Sequence, residues 1–242
     1  MASLYLAPEL RAEDVVVGAV VQITGDEARH AITVARVRIG ERISVSDGDG
    51  LIASGAVTST DGGVVTVEVE SAARHPAPFP ELWLAQALAK GDRDELAVQA
   101  ATELGVSGVI PWAAERSISR WEGAKAEKGR ERWASIVREA TKQSIRPRVP
   151  VVDSIATTAA LTKLPGRLLV LEPEATTRLT EVAIGGDRIT LVVGPEGGIA
   201  PRELEALAAA GATLVRLGPE VLRTSTAGPA ALAVLNARLA RW

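Results

Sequence analysis

The stretches Ile189–Gly198, ITLVVGPEGG, and Leu214–Ala227, LVRLGPEVLRTSTA, decide the fold. Each starts as a short apolar run rich in β-branched residues, which marks a buried strand, and each breaks at Gly-Pro. In the loop Gly194-Pro195-Glu196-Gly197-Gly198 the three glycines carry no Cβ, so the backbone can approach a ligand closely. Pro201 then opens a helix through Glu203 and Leu204 that stops at Gly211. Two such strand-loop pairs, about twenty residues apart on neighbouring βα units, set their loops side by side at one edge of a parallel sheet. A small-molecule site is predicted at that edge.

Composition narrows the function classes. The chain has 242 residues, 47% of them apolar, enough to bury a substantial core. It has no cysteine, which excludes disulfides, thiolate metal sites and cysteine nucleophiles and suits a reducing compartment. Only two histidines are available for a metal. Aromatics make up 3%, too few for a base-stacking platform. The N-terminus shows no leader pattern, and no apolar run is long enough for a membrane span, so a soluble cytoplasmic protein is predicted. The net charge of −3 argues against a broadly basic nucleic-acid binder. Charge is unevenly spread, however: Arg116–Arg148 holds 10 Lys and Arg against 4 acids. A local basic patch suits phosphate contact on one face, and a salt-bridged helix surface would read the same.

Residues 1–75 read as a small β-barrel domain. Strands are predicted at Val15–Ile23, Arg42–Ser46, Leu51–Ser59 and Val64–Val69, separated by Gly-Asp, Asp-Gly-Asp-Gly and Asp-Gly-Gly turns. A helix from Gly25 to Val37, N-capped by Asp26, interrupts them. Residues 76–81 form a Pro-rich linker. From 82 to 242 strands and helices alternate, which predicts a mostly parallel α/β sheet. Strands are placed at Leu82–Leu88, Val109–Trp112, Leu168–Leu171, Ile189–Val193 and Thr213–Leu217. Helices are placed from an Asp92/Glu95 capping box to Leu104, from Gly129 to about Ile145, and from Pro229 to the C-terminus.

Five motifs occur in order. They are Gly91-Asp92-Arg93 with Glu103-Leu104-Gly105-Val106; Pro111-Trp112 before Glu115-Arg116-Ser117; Gln143-Ser144-Ile145-Arg146 before Val149-Pro150; the GPEGG loop; and Leu217-Gly218-Pro219 followed by Val221-Leu222-Arg223-Thr224 and Thr226-Ala227. Together they resemble the RsmE family of small-subunit (16S) ribosomal RNA uridine-N3 methyltransferases, within the SPOUT class. His30, Val34–Arg38 and the Asp47-Gly48-Asp49-Gly50 turn are similar to that family's PUA-like N-terminal domain. The resemblance implies an α/β SPOUT trefoil-knot domain behind a PUA-like β-barrel. It also implies S-adenosylmethionine as cofactor, bound bent by the knot loops without a metal. A homodimer with active sites near its interface, and 16S rRNA of the small ribosomal subunit as substrate, follow from the same resemblance. Lys142 and Ser225 stand where many members carry Glu, and Glu220 where Arg is frequent.

With that resemblance the candidate residues take roles. Cofactor contacts fall on Leu171, Val193, Gly194, Pro195, Glu196, Gly197, Gly198, Ile199, Leu217, Gly218, Val221, Leu222, Thr226 and Ala227. Uridine N3 is protonated at neutral pH, so its methylation needs a base or a cation beside the uridinate. Arg223, next to the second loop, is the candidate cation, and a structural clamp on loop carbonyls is the competing reading. Glu196 is the candidate base, or else it holds its loop by accepting N–H groups or offsets the sulfonium charge. Thr224, Ser225 and Thr226 are predicted to cap the last helix, with contact to the methionine carboxylate or the substrate as the second reading. RNA contacts are assigned to Arg11, His30, Arg36, Arg38, Arg93, Arg116, Arg120, Arg146 and Arg148, with Asp92 and Arg93 ordering the site from a partner subunit. A non-catalytic RNA-binding protein with a degenerate knot is the alternative. An ordinary nucleotide-binding enzyme lacks support, because neither a P-loop nor a dinucleotide fingerprint occurs.

Overall fold

A computed structural model describes residues 3–242. Contacts divide them into two units, residues 3–77 with Thr141–Val149, and Pro78–Ala140 with Pro150–Trp242.

The first unit is a five-stranded sheet of β1 (Ser3–Leu6), β2 (Val20–Ile23), β3 (Arg42–Ser46), β4 (Leu51–Ser59) and β5 (Val65–Arg74), in the order β1-β3-β4-β5-β2. Only β1 and β3 run parallel; the other pairs are antiparallel. Alternation along β4 and β5 sends Leu51, Ala53, Val57, Val65, Val67 and Val69 into a core shared with Ile23, Ile43 and Val45. Gly55 sits at a register shift between β4 and β5, where a Cβ would stand 1.8 Å from the Glu68 carbonyl oxygen. The Asp-Gly-Asp-Gly turn closes because Asp47 Oδ1 accepts the Asp49 and Leu51 N–H groups at 2.6 and 3.0 Å.

Three expectations change in this unit. The run from Val15 is strand only at Val20–Ile23; Gly18 (φ 85) breaks it, and Val16 and Val17 are exposed. The short edge strand β1 carried no periodic signal. The N-cap position of helix α1 (Gly25–Arg29) is Thr24, without a side-chain bond, while Asp26 pairs with Arg29 at 2.9 Å. It continues as a π-helical turn over His30–Ala35 and ends where Arg36 turns left-handed, φ 54.

Residues 141–149, inside the stretch expected to belong wholly to the second domain, pack in this unit. The Pro147 carbonyl accepts the Gly50 N–H and the Gly48 carbonyl accepts the Val149 N–H, both at 2.9 Å. Arg148 pairs with Asp49 and donates to the His75 carbonyl at 3.1 Å. Lys142 meets Glu27 at 3.3 Å, with side-chain exposures of 10% and 15%. The lysine at this unusual position is therefore matched by a carboxylate in the N-terminal part of the chain.

The second unit is a parallel sheet of β6 (Glu81–Ala87), β7 (Gly108–Trp112), β8 (Val151–Val152), β9 (Arg167–Leu171), β10 (Arg188–Val193) and β11 (Thr213–Val215). The order is β11-β9-β10-β6-β7-β8, with every pairing parallel. The chain starts in the interior at β6, builds outward through β7 and β8, and then returns to lay down β9, β10 and β11 on the other side. The loops after β9, β10 and β11 consequently leave the same sheet edge, beside the reversal between β6 and β10. Helices α2 (Arg93–Glu103) and α6 (Thr224–Arg238) pack on each other, and both pack on β6. Gly228 lies so close to the sheet that a Cβ would sit 3.0 Å from Leu84 and 3.4 Å from Val193. The opposite face buries Trp83, Ala85, Ile110, Trp112, Val170 and Val192 with Leu161 of α4 (Thr158–Leu161) and Leu207 of α5 (Pro201–Ala209).

Boundaries shift for local reasons here as well. Helix α3 spans Ala124–Gln143, starting earlier than predicted. Ile145 beyond it takes φ 52, a left-handed backbone that a β-branched residue rarely adopts. The predicted Asp92/Glu95 box is not formed. Asp92 is the N-cap without a side-chain bond, Asp94 accepts the Ala89 and Glu95 N–H groups, and Glu95 reaches Arg132 at 2.9 Å. Helix α6 begins at Thr224 and carries Pro229 in its second turn, where a missing N–H costs one intrahelical bond.

Gly55→Ala is expected to lower stability by about 1–3 kcal/mol, because backbone must move to admit the methyl group. Gly185→Ala, where a Cβ would meet nothing within 4 Å, is expected to be neutral or slightly stabilising. Urea unfolding of the two variants beside the parent checks both signs.

Candidate active site

The three loops leaving β9, β10 and β11 enclose a cavity of about 640 Å³ within the second unit. Leu171 and Val193, the last residues of β9 and β10, form its base with Val215 of β11. Gly194, Pro195, Glu196, Gly198 and Ile199 line one wall; Leu217, Gly218, Val221, Leu222 and Ala227 line another. Of the predicted cofactor residues, Gly197 and Thr226 are not on the lining. Sequence reading missed Glu172, Pro173 and Glu174 after β9, and Leu204, Val215 and Arg216. The Leu-Glu-Pro-Glu that ends β9 is the signal that could have shown the first three, since it too breaks a strand at a proline.

The GPEGG loop is held from several sides. The Gly198 N–H bonds the Pro195 carbonyl at 2.9 Å, closing a turn, and Gly198 takes φ 72. A Cβ on Gly194 would sit 2.6 Å from Ile199 Cγ1, so this glycine is required by close approach. Arg116 donates to the Gly197 carbonyl at 3.1 Å. Glu196 Oε1 accepts both the Lys90 N–H at 3.0 Å and Arg93 Nη1 at 2.8 Å. Burial pushes the Glu196 carboxyl up, but the bonds from Arg93 and from backbone N–H groups outweigh it and leave the pKa below its ordinary 4.5. A carboxylate held ionised in this way is a weak proton acceptor for an imide, so the geometry favours the loop-holding role over that of a base. Gln86, fully buried on β6, donates to Thr224 Oγ1 at 2.8 Å, and Thr224 donates to the Gly194 carbonyl at 2.9 Å.

Glu203, 6% exposed on α5, fixes the neighbouring loop. It accepts the Glu115 N–H at 3.0 Å, the Thr158 hydroxyl at 2.6 Å and the Ala200 N–H at 3.3 Å. One buried carboxylate thus ties the start of α5 to the segment that carries Arg116.

Arg223 lies on the cavity wall as the N-cap of α6, exposed. Its backbone carbonyl accepts the Thr226 and Ala227 N–H groups. Its guanidinium makes no hydrogen bond or ion pair among the described residues, so no loop carbonyl is clamped. The capping predicted for Thr224, Ser225 and Thr226 falls one residue earlier, on Arg223.

The predicted RNA contacts divide by their commitments. In the first unit Arg11, His30, Arg36 and Arg38 are exposed, with Arg11 turned onto the Pro8 and Leu10 carbonyls. Burial lowers the Arg146 guanidinium to about 10, and Arg148 is engaged by Asp49. In the second unit Arg93 and Arg116 line the cavity and brace its loop, while Arg120 donates to the Ala114 and Glu115 carbonyls. Arg11, Arg93, Arg116, Arg120 and Arg148 therefore already hold protein groups. Charge counting alone could not show these commitments.

The cavity suits a sulfonium nucleoside. Its volume lies within the roughly 300–1,000 Å³ of typical small-molecule sites. Apolar strand ends offer walls for a purine, Glu172, Glu174 and Glu220 offer negative charge for a sulfonium and an ammonium, and Arg216 offers a partner for a carboxylate. Among the described residues no group of His, Asp and Glu could hold a metal ion, and no helix is long and apolar enough to cross a membrane.

The parallel sheet with its three-loop cavity, following a small β-sheet unit in the chain, is the architecture of SPOUT-class methyltransferases with an N-terminal PUA domain. The RNA methyltransferase domain family matches residues 75–236, and the RNA methyltransferase PUA domain family matches residues 23–70. The ribosomal RNA small subunit methyltransferase E of Mycobacterium tuberculosis is 42% identical over 233 residues, covering 93% of this chain and 89% of that protein. Its Bacillus subtilis namesake is 32% identical, covering 88% of each. The crystal structure of a ribosomal RNA small subunit methyltransferase E from Neisseria gonorrhoeae bound to S-adenosyl methionine superimposes with a TM-score of 0.87 at 30% identity, covering 98% of both chains. A methyltransferase from Legionella pneumophila in complex with the cofactor gives the same TM-score at 26% identity and the same coverage. The chain belongs to the ribosomal RNA small subunit methyltransferase E family.

Arg93→Ala and Glu196→Gln are each expected to weaken S-adenosylmethionine binding by roughly three- to tenfold, and the double variant by no more than the worse single one. Calorimetric titration of the three variants checks this coupling. Because the folded-state pKa of Glu196 is depressed, its contribution is complete above pH 4.5 and is lost as pH falls through that lower value, so the loop is expected to loosen only in acid.

Proposed function

We propose that this protein transfers a methyl group from S-adenosylmethionine to N3 of one uridine in the 16S rRNA of the small ribosomal subunit. The observation that carries the reading is the cavity of the three sheet-edge loops, with the unpaired Arg223 guanidinium on its wall. The strand ends and glycine-rich loops hold the cofactor, and Glu172, Glu174 and Glu220 balance its positive charge. When bound, the cofactor supplies an electrophilic methyl group for in-line displacement. Arg223 stabilises the uridinate oxygen as N3 gives its proton to solvent water, which raises the nucleophilicity of the ring nitrogen; the N3–methyl bond would form as the methyl–sulfur bond breaks, leaving S-adenosylhomocysteine. Glu196, with Arg93 and Lys90, keeps the loop in shape and takes no proton. Arg36, Arg38 and His30 of the PUA unit contact RNA phosphates.

In this reading the C-terminal strand and helix form the trefoil knot of the class. The enzyme works in the cytoplasm as a homodimer, covering the exposed aliphatic residues Val221 and Leu222 at the cavity wall, which are 77% and 38% exposed. The non-catalytic alternative is disfavoured by the intact loops, since a degenerate site has no reason to retain the close-approach glycine at 194.

The test is methyl transfer from labelled S-adenosylmethionine to small ribosomal subunits from cells lacking this gene, with the product nucleoside identified by mass spectrometry. The expected product is 3-methyluridine. Arg223→Ala is expected to lower kcat by about 10²–10³-fold while changing cofactor affinity only a few-fold, in line with the loss of one transition-state donor. No incorporation alongside intact cofactor binding would overturn the substrate assignment, and failure to bind cofactor would overturn the reaction. Sedimentation equilibrium decides the dimer.

A further inference from the structure

Gln86 is a fully buried polar side chain, 0% exposed, near the end of β6 and in register with Val193 of β10. Its Nε2 lies 3.3 Å from the Ala87 carbonyl oxygen and 2.8 Å from Thr224 Oγ1. A carbonyl can only accept, so the amide nitrogen must face that side, and Gln86 donates to Thr224. The Thr224 hydroxyl has a single proton, and it goes to the Gly194 carbonyl at 2.9 Å. The chain Gln86 N–H to Thr224 O–H to Gly194 C=O therefore has one direction, fixed at both ends. Its cost is visible, since Gln86 Oε1 is buried without a partner.

We propose that Gln86 and Thr224 are positioning residues for methyl transfer, setting the distance between the GPEGG loop and the start of α6 and thereby the shape of the donor site. This rests on the reaction proposed above. Among the described residues the Thr224 hydroxyl is the hydrogen bond that ties the start of α6 to the Gly194 carbonyl of the GPEGG loop, and Gln86 fixes which way that hydroxyl points. Thr224 lines the cavity, yet its proton is already committed, so it has none left to give a bound ligand.

Gln86→Glu is the discriminating variant, because it preserves shape and reverses the chemistry. Ionised, the carboxylate can only accept; the Thr224 hydroxyl turns to donate to it and leaves the Gly194 carbonyl without that hydrogen bond. Protonated, it donates and restores the chain. Burial raises a carboxyl pKa, so the defect must appear as pH rises. The experiment measures S-adenosylmethionine affinity and KM by calorimetry and kinetics from mildly acidic to alkaline pH. In the cofactor-free protein it also measures hydrogen exchange at the Gly198 and Thr226 amides.

The expected result is roughly tenfold weaker binding for Gln86→Glu at alkaline pH, recovering toward the parent in acid, with faster exchange at both amides over the same range. KM for the cofactor rises more than kcat falls. Thr224→Val is expected to be weak at every pH, and Thr224→Ser to recover what it loses. A Gln86→Glu protein that binds and exchanges like the parent throughout overturns the proposal. So does a Thr224→Val protein indistinguishable from Thr224→Ser, which keeps the test open should Gln86→Glu not fold. If the parent itself binds no S-adenosylmethionine, the proposed reaction fails, and exchange at the two amides alone decides the positioning role.

Discussion

Everything at the site depends on the placement of β10 between β6 and β9. A strand paired on both sides has no backbone group left to offer a ligand until it passes its last ladder partner, here Val193 opposite Gln86 and Leu171. The residues that follow are then the first with recognition capacity. Three of them are glycines, and the proline among them has no N–H to satisfy. Parallel pairing of β11 with β9 brings a second such loop to the same edge. The cavity is a consequence of that strand order, and its lining is mainly whatever the chain places just after each strand.

Holding those loops open requires polar anchors that do not compete with the ligand. Glu196 is turned toward Arg93 and the Lys90 N–H, Glu203 secures the Arg116 segment, and Gln86 with Thr224 secures the Gly194 carbonyl. Each anchor joins segments far apart in sequence, so its cost in chain entropy has been met once the sheet forms. The arrangement leaves the Arg223 guanidinium, like that of Arg216, on the cavity wall without a side-chain partner among the described residues, which is what a group reserved for developing charge requires.

Much of this was legible in the sequence. The alternation of strands and helices after residue 82 announced a parallel sheet, and the two Gly-Pro breaks marked both walls of the cavity. What was not legible shares a physical cause. Asp92 looked like a capping residue, but Asp94, two positions on, captures the N–H groups, because the decision depends on how the Ala89–Gly91 loop approaches. Pro229 looked like a helix start and lies inside α6, because packing against Leu84 and Val193 sustains a helix that propensity would interrupt. Gln86 was invisible in a run of apolar neighbours, since its partner Thr224 is 138 residues away.

The arginines make the same point about charge. Arg93, Arg116, Arg146 and Arg148 belong to motifs that resemble the family, and a reading by composition gives all four to RNA. The structure gives them different environments: ion-paired to Glu196, bonded to the Gly197 carbonyl, desolvated to a pKa near 10, and locked to Asp49. A guanidinium whose donors are in use cannot also neutralise a phosphate without breaking what it holds, so its loss would be felt first as a misshapen loop or a loosened unit. Exposed cations such as Arg36 and Arg38 have no such prior commitment to a carboxylate. Electrostatic attraction to RNA and the integrity of the site are thus carried by different members of one residue type, and only their partners distinguish them.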